Sequence, residues 1–354
     1  MNVKIHSNEL NRMMKTVSQC IDPKDDRRGN VCITHGDNKL TIRGTNGTIF
    51  AEMSAPVLGG DGESFCVDGA MFARVCAMCN GEVSLVTGGN TFLVKGAGRT
   101  RLMIVDMDLP EAAEVKGDTV EFGAVDFSAC YGAVAYAVAN DISRPVLGGV
   151  LIEIGGDGTR MVALDGFQMA VESMPYSGKD RKAVVPGAMM KLISQSISAG
   201  EKLTMTFGKG HVRAETDGMV LTGALLNGEY PDYHRILPKE FKTECLVKNE
   251  TVRGVLKSSS VVNNSNHLVK LRVEESVLTV MSNSESAAFD AEMDCATNGD
   301  GLTIAFNEKY LMNTVGAIDA EMIVMKMNGP NSPVVVQGKD MDGLRLVLPV
   351  RVMG

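Results

Sequence analysis

Ala163-Leu164-Asp165-Gly166, at the end of a strand-like run, is the middle member of a set of three. Gly44-Thr45-Asn46-Gly47 stands before it and Met281-Ser282-Asn283-Ser284 after it, each following a similar run. Their third residues lie 119 and 118 positions apart (165 − 46 and 283 − 165), close to one third of the 354-residue chain. Other landmarks keep the same register. Val67, Val185 and Phe306 each lead into a helix-like segment, and strand-like runs begin at Val83, Leu203 and Ile323. Pro110, Pro231 and Pro349 stand near the ends of the three stretches. Repeats of about 20 to 50 residues build solenoids and propellers, whereas a period this long matches a small whole domain. Three tandem copies of one domain are predicted, over residues 1–117, 118–240 and 241–354.

Each copy opens with a strand and an amphipathic helix. Leu10, Met13, Met14, Val17 and Ile21 recur at helical spacing in the first, and Phe127, Cys130, Tyr131, Val134 and Val138 in the second. Val252, Val255, Leu256 and Ser259 form a weaker version in the third. Strands follow, such as Lys39 to Arg43, Val150 to Ile154 and Val277 to Val280. A second helix is predicted over 69–79, 186–198 and 307–318, with Asp68, Pro186 and Asn307 as opening residues. Further strands separated by Gly-rich turns close each copy. Two helices and seven or eight strands, in runs rather than strict alternation, make an α+β fold with mostly antiparallel sheet.

Composition narrows the function. No apolar run approaches the ~20 residues of a membrane-spanning helix, and Met1-Asn2-Val3-Lys4-Ile5-His6 alternates like a strand rather than a signal peptide. The eight cysteines are scattered, and several stand at apolar-periodic positions, so a reduced, cytoplasmic, disulfide-free chain is expected. Cys76 and Cys79 form a CxxC, but no second pair or nearby His completes a zinc set, which favours packing. No nucleophile elbow or phosphate loop is present, and the five histidines lie far apart. Asp165 with Asp141, or Glu229 with Asp232, could form acid/base pairs, yet no spacing forces either together. Asp165-Gly166 reads more simply as a turn between strands. No catalytic residue, cofactor or metal is expected.

A net charge of −8 argues against a chain coated in base. The predicted helices depart from that average. Glu9, Asp126, Glu250 and Glu308 stand in or beside first turns, where a carboxylate suits the helix dipole. Arg12, Lys15, Arg74, Lys191, Arg253, Lys257 and Lys309 place a base on five of the six helices. A helix layer richer in base than the rest suits a polyanion. Two strand regions carry opposite charges. Lys95, Arg99 and Arg101 lie late in the first copy, and Asp290, Glu292 and Asp294 alternate along a strand of the third. Such ends favour head-to-tail pairing, and edge charges that merely prevent aggregation are the alternative.

The run from Ala135 to Glu153, containing Asn140-Asp141-Ile142-Ser143-Arg144-Pro145, resembles the central domain of the bacterial DNA polymerase III beta subunits, the sliding clamps. Ala163 to Ala170, Asn227 to Tyr233, Ile304 to Leu311 and Leu348-Pro349-Val350-Arg351 are similar to further signatures of that family, in order along the whole chain. The resemblance implies three like-folded domains per subunit and a head-to-tail homodimer closing into a ring, with helices lining the hole. It implies a non-catalytic processivity factor that encircles duplex DNA without sequence specificity. Its partners would be the replicative polymerase, the clamp loader and other proteins bearing a clamp-binding motif. The basic helix residues would face DNA, and Leu102 and Val261 would add apolar contacts to the dimer interface. A partner-peptide pocket would be lined by Leu147, Leu164, Gly166, Phe167, Gln168, Met169, Pro231, Arg235, Ile236, Leu346, Val347, Leu348, Pro349 and Val350. Leu164, Gln168 and Met169 replace the family's usual Thr, Arg and Leu, which makes the pocket more apolar, removes a cation and marks a divergent member. The rival is a clamp-like protein-binding scaffold that does not encircle DNA.

Overall fold

The computed structural model describes all residues except 58–61, 141–142, 263–266 and 352–354. In the first third, β1 (Asn2–His6) and α1 (Ser7–Val17) precede β2 (Asn30–Gly36), β3 (Lys39–Thr45), β4 (Ile49–Pro56) and β5 (Glu63–Asp68). Next come α2 (Gly69–Met78), β6 (Glu82–Gly88), β7 (Thr91–Lys95) and β8 (Arg99–Met103). The middle third runs β9 (Asp118–Gly123), α3 (Ala124–Val134), β10 (Gly149–Gly155), β11 (Gly158–Leu164), β12 (Gln168–Met174) and β13 (Arg181–Pro186). It continues with α4 (Gly187–Ser196), β14 (Lys202–Phe207), β15 (His211–Thr216) and β16 (Met219–Ala224). The last third runs β17 (Thr243–Lys248), α5 (Asn249–Ser259), β18 (Leu268–Val273), β19 (Val277–Asn283), β20 (Ala288–Gly299) and β21 (Leu302–Asn307). It ends with α6 (Glu308–Gly316), β22 (Met322–Met327), β23 (Val334–Gly338) and β24 (Leu344–Val347). Strand, helix, four strands, helix, three strands therefore occurs three times over.

Local chemistry explains these boundaries. Asp68 and Asn307 cap α2 and α6, accepting from the backbone N–H groups of Met71 (2.6 Å) and Lys309 (3.0 Å). His6 does the same for α1, accepting from Asn8 N–H at Nδ1. The predicted apolar faces are the buried ones: Leu10, Met13, Met14 and Val17 on α1, Phe127, Cys130 and Val134 on α3, Val252 and Leu256 on α5. The first two tetrads are turns, whereas Met281, Ser282 and Asn283 of the third still belong to β19. Asp165 Oδ1 accepts from Phe167 and Gln168 N–H, and Asn46 Oδ1 from Thr48 and Ile49 N–H. Gly166 and Gly47 follow with φ of 96° and 89°, which only glycine adopts without strain.

The chain forms two compact units. One comprises Met1–Phe127 with Ala188–Leu226, the other Ser128–Gly187 with Asn227–Gly354. The first holds a four-stranded sheet, β1-β6-β7-β8, and an eight-stranded sheet, β5-β2-β3-β4-β16-β15-β14-β9. The second holds one twelve-stranded sheet, β13-β10-β11-β12-β24-β23-β22-β17-β20-β19-β18-β21. Neighbours are antiparallel, as in the joining pairs β4–β16 and β12–β24. Those two pairs carry a sheet from one third of the sequence into the next, so compactness does not follow the thirds.

The cysteines differ from expectation at one place. Cys32 and Cys66 stand directly opposite on β2 and β5 and are joined as a disulfide, because strand register brings together residues that sequence spacing keeps apart. Cys76 and Cys79 are buried free thiols, and burial pushes Cys76 well above the ordinary thiol range. Burial likewise pushes Cys20, Cys130 and Cys245 up to about 12. Among the described residues, no helix is long and apolar enough to cross a membrane, and no His/Cys/Asp/Glu group could hold a metal.

Candidate functional site

The residues singled out by sequence fall into three groups. The first is the helix faces. Lys15, Arg74, Lys191, Arg253, Lys257 and Lys309 are exposed, without an ion-pair partner among the described residues. Arg12 is half-buried, with Nε and Nη2 donating to Glu9 Oε2 at 3.1 and 3.0 Å. Unpaired cations on rigid helices can meet a polyanion without first breaking an ion pair.

The second surface is a pair of open strand edges. β8 is the outer strand of its sheet and, among the described residues, pairs with β7 alone. Arg99 and Arg101 alternate on one side of it, and Lys95 lies across from Arg99. Leu102 points the other way, opposite Phe92 in the core, and is 7% exposed. The period of two along a strand decides this, and it turns Met103, 63% exposed, to the side of the arginines. Leu102 is thus a core residue, and Met103 is the apolar group that the edge displays. In the other unit, residues 288–294 of β20 pair with β19, while 295–299 pair with β17. The first half therefore leaves one edge open, and Asp290, Glu292 and Asp294 are exposed along it. Val261, just past α5, is 85% exposed.

The third surface surrounds the β12–β24 pair. Gln168 lies opposite Val347, and Met169 opposite both Leu346 and Leu164. Leu147, Leu164, Met169 and Leu346 form a buried apolar floor, whereas Val347, the next residue along β24, turns to the other face and belongs to the core of the last third. The last residues cross it: Leu348 N–H donates to Phe167 O (2.8 Å) and Val350 N–H to Ala305 O (2.7 Å). Pro349 lies between them, half-buried. Pro231, Arg235 and Ile236 belong to a segment tied to the same sheet, where the Tyr230 hydroxyl donates to Val162 O and the Tyr233 hydroxyl to Glu153 Oε2. Arg235 is held by Asp232 at 3.0 Å. Phe167 is 55% exposed and stacks on Tyr310 of α6, with ring centroids 5.3 Å apart and planes 11° apart. Sequence reasoning missed Tyr310, although its motif, Phe306-Asn307-Glu308-Lys309-Tyr310, was in view.

Gln168 is buried and pinned. Its Nε2 donates to Asp165 Oδ2 (2.9 Å) and Tyr136 O (3.3 Å), while its Oε1 has no partner among the described residues. Beneath it lies a buried ion pair, Arg345 with Glu172 at 2.7 Å, which also reaches the carbonyls of Val171 and Ala317. Burial pushes the nearby Tyr136 phenol well above its ordinary value. The surface is thus apolar and aromatic, with its polar groups held underneath.

Neither acid/base pairing finds support. Asp165 is committed to its turn, Asp232 to Arg235, and Asp141 lies outside the described residues. A cavity of about 700 Å³ is lined by Glu153, Arg160, Lys182, Tyr233, His234 and Asp342. The Glu153 carboxylate is taken on both sides, by Lys182 (2.5 Å) and the Tyr233 hydroxyl (2.6 Å).

Comparison with known proteins gives one answer throughout. Residues 125–232 match the family model for the DNA polymerase III beta subunit, central domain, and residues 234–351 the model for its C-terminal domain. A beta sliding clamp of Streptomyces coelicolor is 27% identical over 81% of this chain and 82% of its own length. That of Escherichia coli K12 is 24% identical over 97% and 99%. The crystal structure of the DNA polymerase III beta subunit from Thermotoga maritima superposes with a TM-score of 0.92 at 22% identity, covering 99% of this chain and all of the other. A sliding clamp from Pseudomonas aeruginosa bound to griselimycin superposes equally well at 21% identity.

Proposed function

The chain belongs to the DNA polymerase III beta subunit family, and on that premise we propose that it is a sliding clamp, closing as a head-to-tail homodimer around duplex DNA. The observation that carries this is the thrice-repeated order of elements, which supplies six helices, five of them bearing exposed bases suited to a polyanion. The clamp domains are taken as residues 1–117, 118–240 and 241–354. The helix bases touch phosphates only, since a base-specific grip would stop the ring from sliding. The protein is a non-catalytic, cytoplasmic accessory subunit that tethers the replicative polymerase, and it serves the clamp loader and other motif-bearing partners through one pocket.

The seam is assigned to the open edges of β8 and β20. Arg99, Arg101 and Lys95 meet Asp290, Glu292 and Asp294, and like-to-like pairing is disfavoured by charge. Met103 and Val261 supply apolar contact. Because each protomer has one edge of each kind, two copies satisfy both and close. The partner peptide is assigned to the apolar surface around β12 and β24. A scaffold that never encircles DNA is the alternative. Retention on nicked circular DNA, lost when the circle is cut, separates them: a clamp slides off the ends. Equal retention on both forms, or a monomeric mass in solution, would reject the ring.

A further inference from the structure

The seven Lys and Arg residues of the helices are unevenly shared. Arg12 and Lys15 on α1 and Arg74 on α2 belong to one packed helix pair; Arg253 and Lys257 on α5 and Lys309 on α6 belong to another. The middle third contributes Lys191 alone. α3 contains no Lys or Arg, and its first turn presents Val125, 59% exposed, beside the exposed Asp126.

Both basic pairs also adjoin the edges assigned to the seam. Cys79, which ends α2, abuts the turn into β8, where a Cβ on Gly96 would collide with Cys79 Sγ. α5 packs on β19 and β20, the strand that bears Asp290, Glu292 and Asp294. Resting on the ring reading, we infer that duplex DNA acts as a brace across each seam, so that DNA binding tightens the dimer. In an empty ring, α1 and α2 of one protomer and α5 and α6 of its partner bring like charges together and repel. A phosphate backbone passing both pairs neutralises them at once and releases their counterions. The middle-third helices contribute little, so the grip lies on two opposite arcs, one at each seam. Linkage is reciprocal: a duplex that prefers the closed ring to the separated protomers must favour closure by the same factor.

Sedimentation equilibrium of the full-length protein, with and without a duplex of roughly 20 base pairs free to thread the ring, tests this. The wild-type dimer dissociation constant is expected to fall roughly tenfold on adding saturating duplex. Arg74→Ala with Lys257→Ala should remove most of that shift and leave the DNA-free dimer as tight or tighter, because repulsion is relieved. Lys191→Ala should remove only a minor part. An unchanged wild-type constant, or a loss with Lys191→Ala as large as with the pair, would overturn the brace while leaving the ring intact. A wild-type chain that stays monomeric at every concentration would overturn the ring itself, and the brace with it.

Discussion

Phe167 and Glu153 show how single side chains divide the work. Phe167 stays out of the core, stacked on Tyr310, at the rim of an apolar floor. Truncating it removes exposed aromatic area from a surface that is already folded, so Phe167→Ala is expected to weaken partner-peptide affinity by about 1–3 kcal/mol. Thermal unfolding should barely change. Isothermal titration with a clamp-binding peptide checks the first point and calorimetry the second; unaltered affinity would move the pocket elsewhere. Met169 is a harsher test, because Met169→Asp buries a charge in the floor itself. Glu153 has a structural duty. Burial alone would raise its carboxyl, but the hydrogen bonds from Lys182 and Tyr233 outweigh burial and hold its pKa below the usual value. A depressed folded-state pKa adds stability above the unfolded value of about 4.3, and that stability disappears as pH falls through the folded value. Glu153→Gln should therefore cost stability at pH 7 and progressively less below about pH 4, as measured by denaturant unfolding at both.

Strand β8 decides between two residues that adjoin in sequence but differ in fate. Arg101 and Met103 share the outer side, while Leu102 packs opposite Phe92. Arg101→Glu with Met103→Asp reverses the charge and wets the apolar spot without touching the core. The double variant is expected to be a folded monomer by light scattering, and an undiminished dimer mass would reject this edge as the seam. Leu102→Asp is expected to unfold the sheet rather than merely open the ring, since it places a charge against buried aromatics. The β12–β24 pair shows a second element-scale device. Arg345 spans β12, β24 and the end of α6 through Glu172 and two carbonyls, holding the pocket floor in register from below. Nothing in the local pattern announces it, because an Arg between apolar neighbours on an alternating strand reads as solvent-facing.

At the scale of the whole chain, regular spacing was the legible part. The tetrads at Asn46 and Asp165 could be read as turns because their chemistry is local: a carboxylate or amide oxygen collecting N–H groups two or three residues on, next to a glycine. Amphipathic faces such as Leu10, Met13 and Val17 were equally local. So were the capping residues Asp68 and Asn307, and with these the order of strands and helices followed. The site was legible in its parts. The cations and the carboxylates of β20 are exposed on the elements where periodicity put them, and the pocket residues came from the family's motifs, whereas the direction of Leu102, the role of Tyr310 and the bond between Cys32 and Cys66 did not show.

The chain's own pattern, then, determined a triplicated α+β architecture with basic helices and oppositely charged strands, because propensity, capping and alternation act over a few residues and repeat when the sequence repeats. Only the tertiary structure decided that β4 pairs with β16 and β12 with β24, and so where compact units begin and end. A strand's edge can pair with any strand of suitable register, and the choice between partners more than a hundred residues away is made by packing that no local window contains.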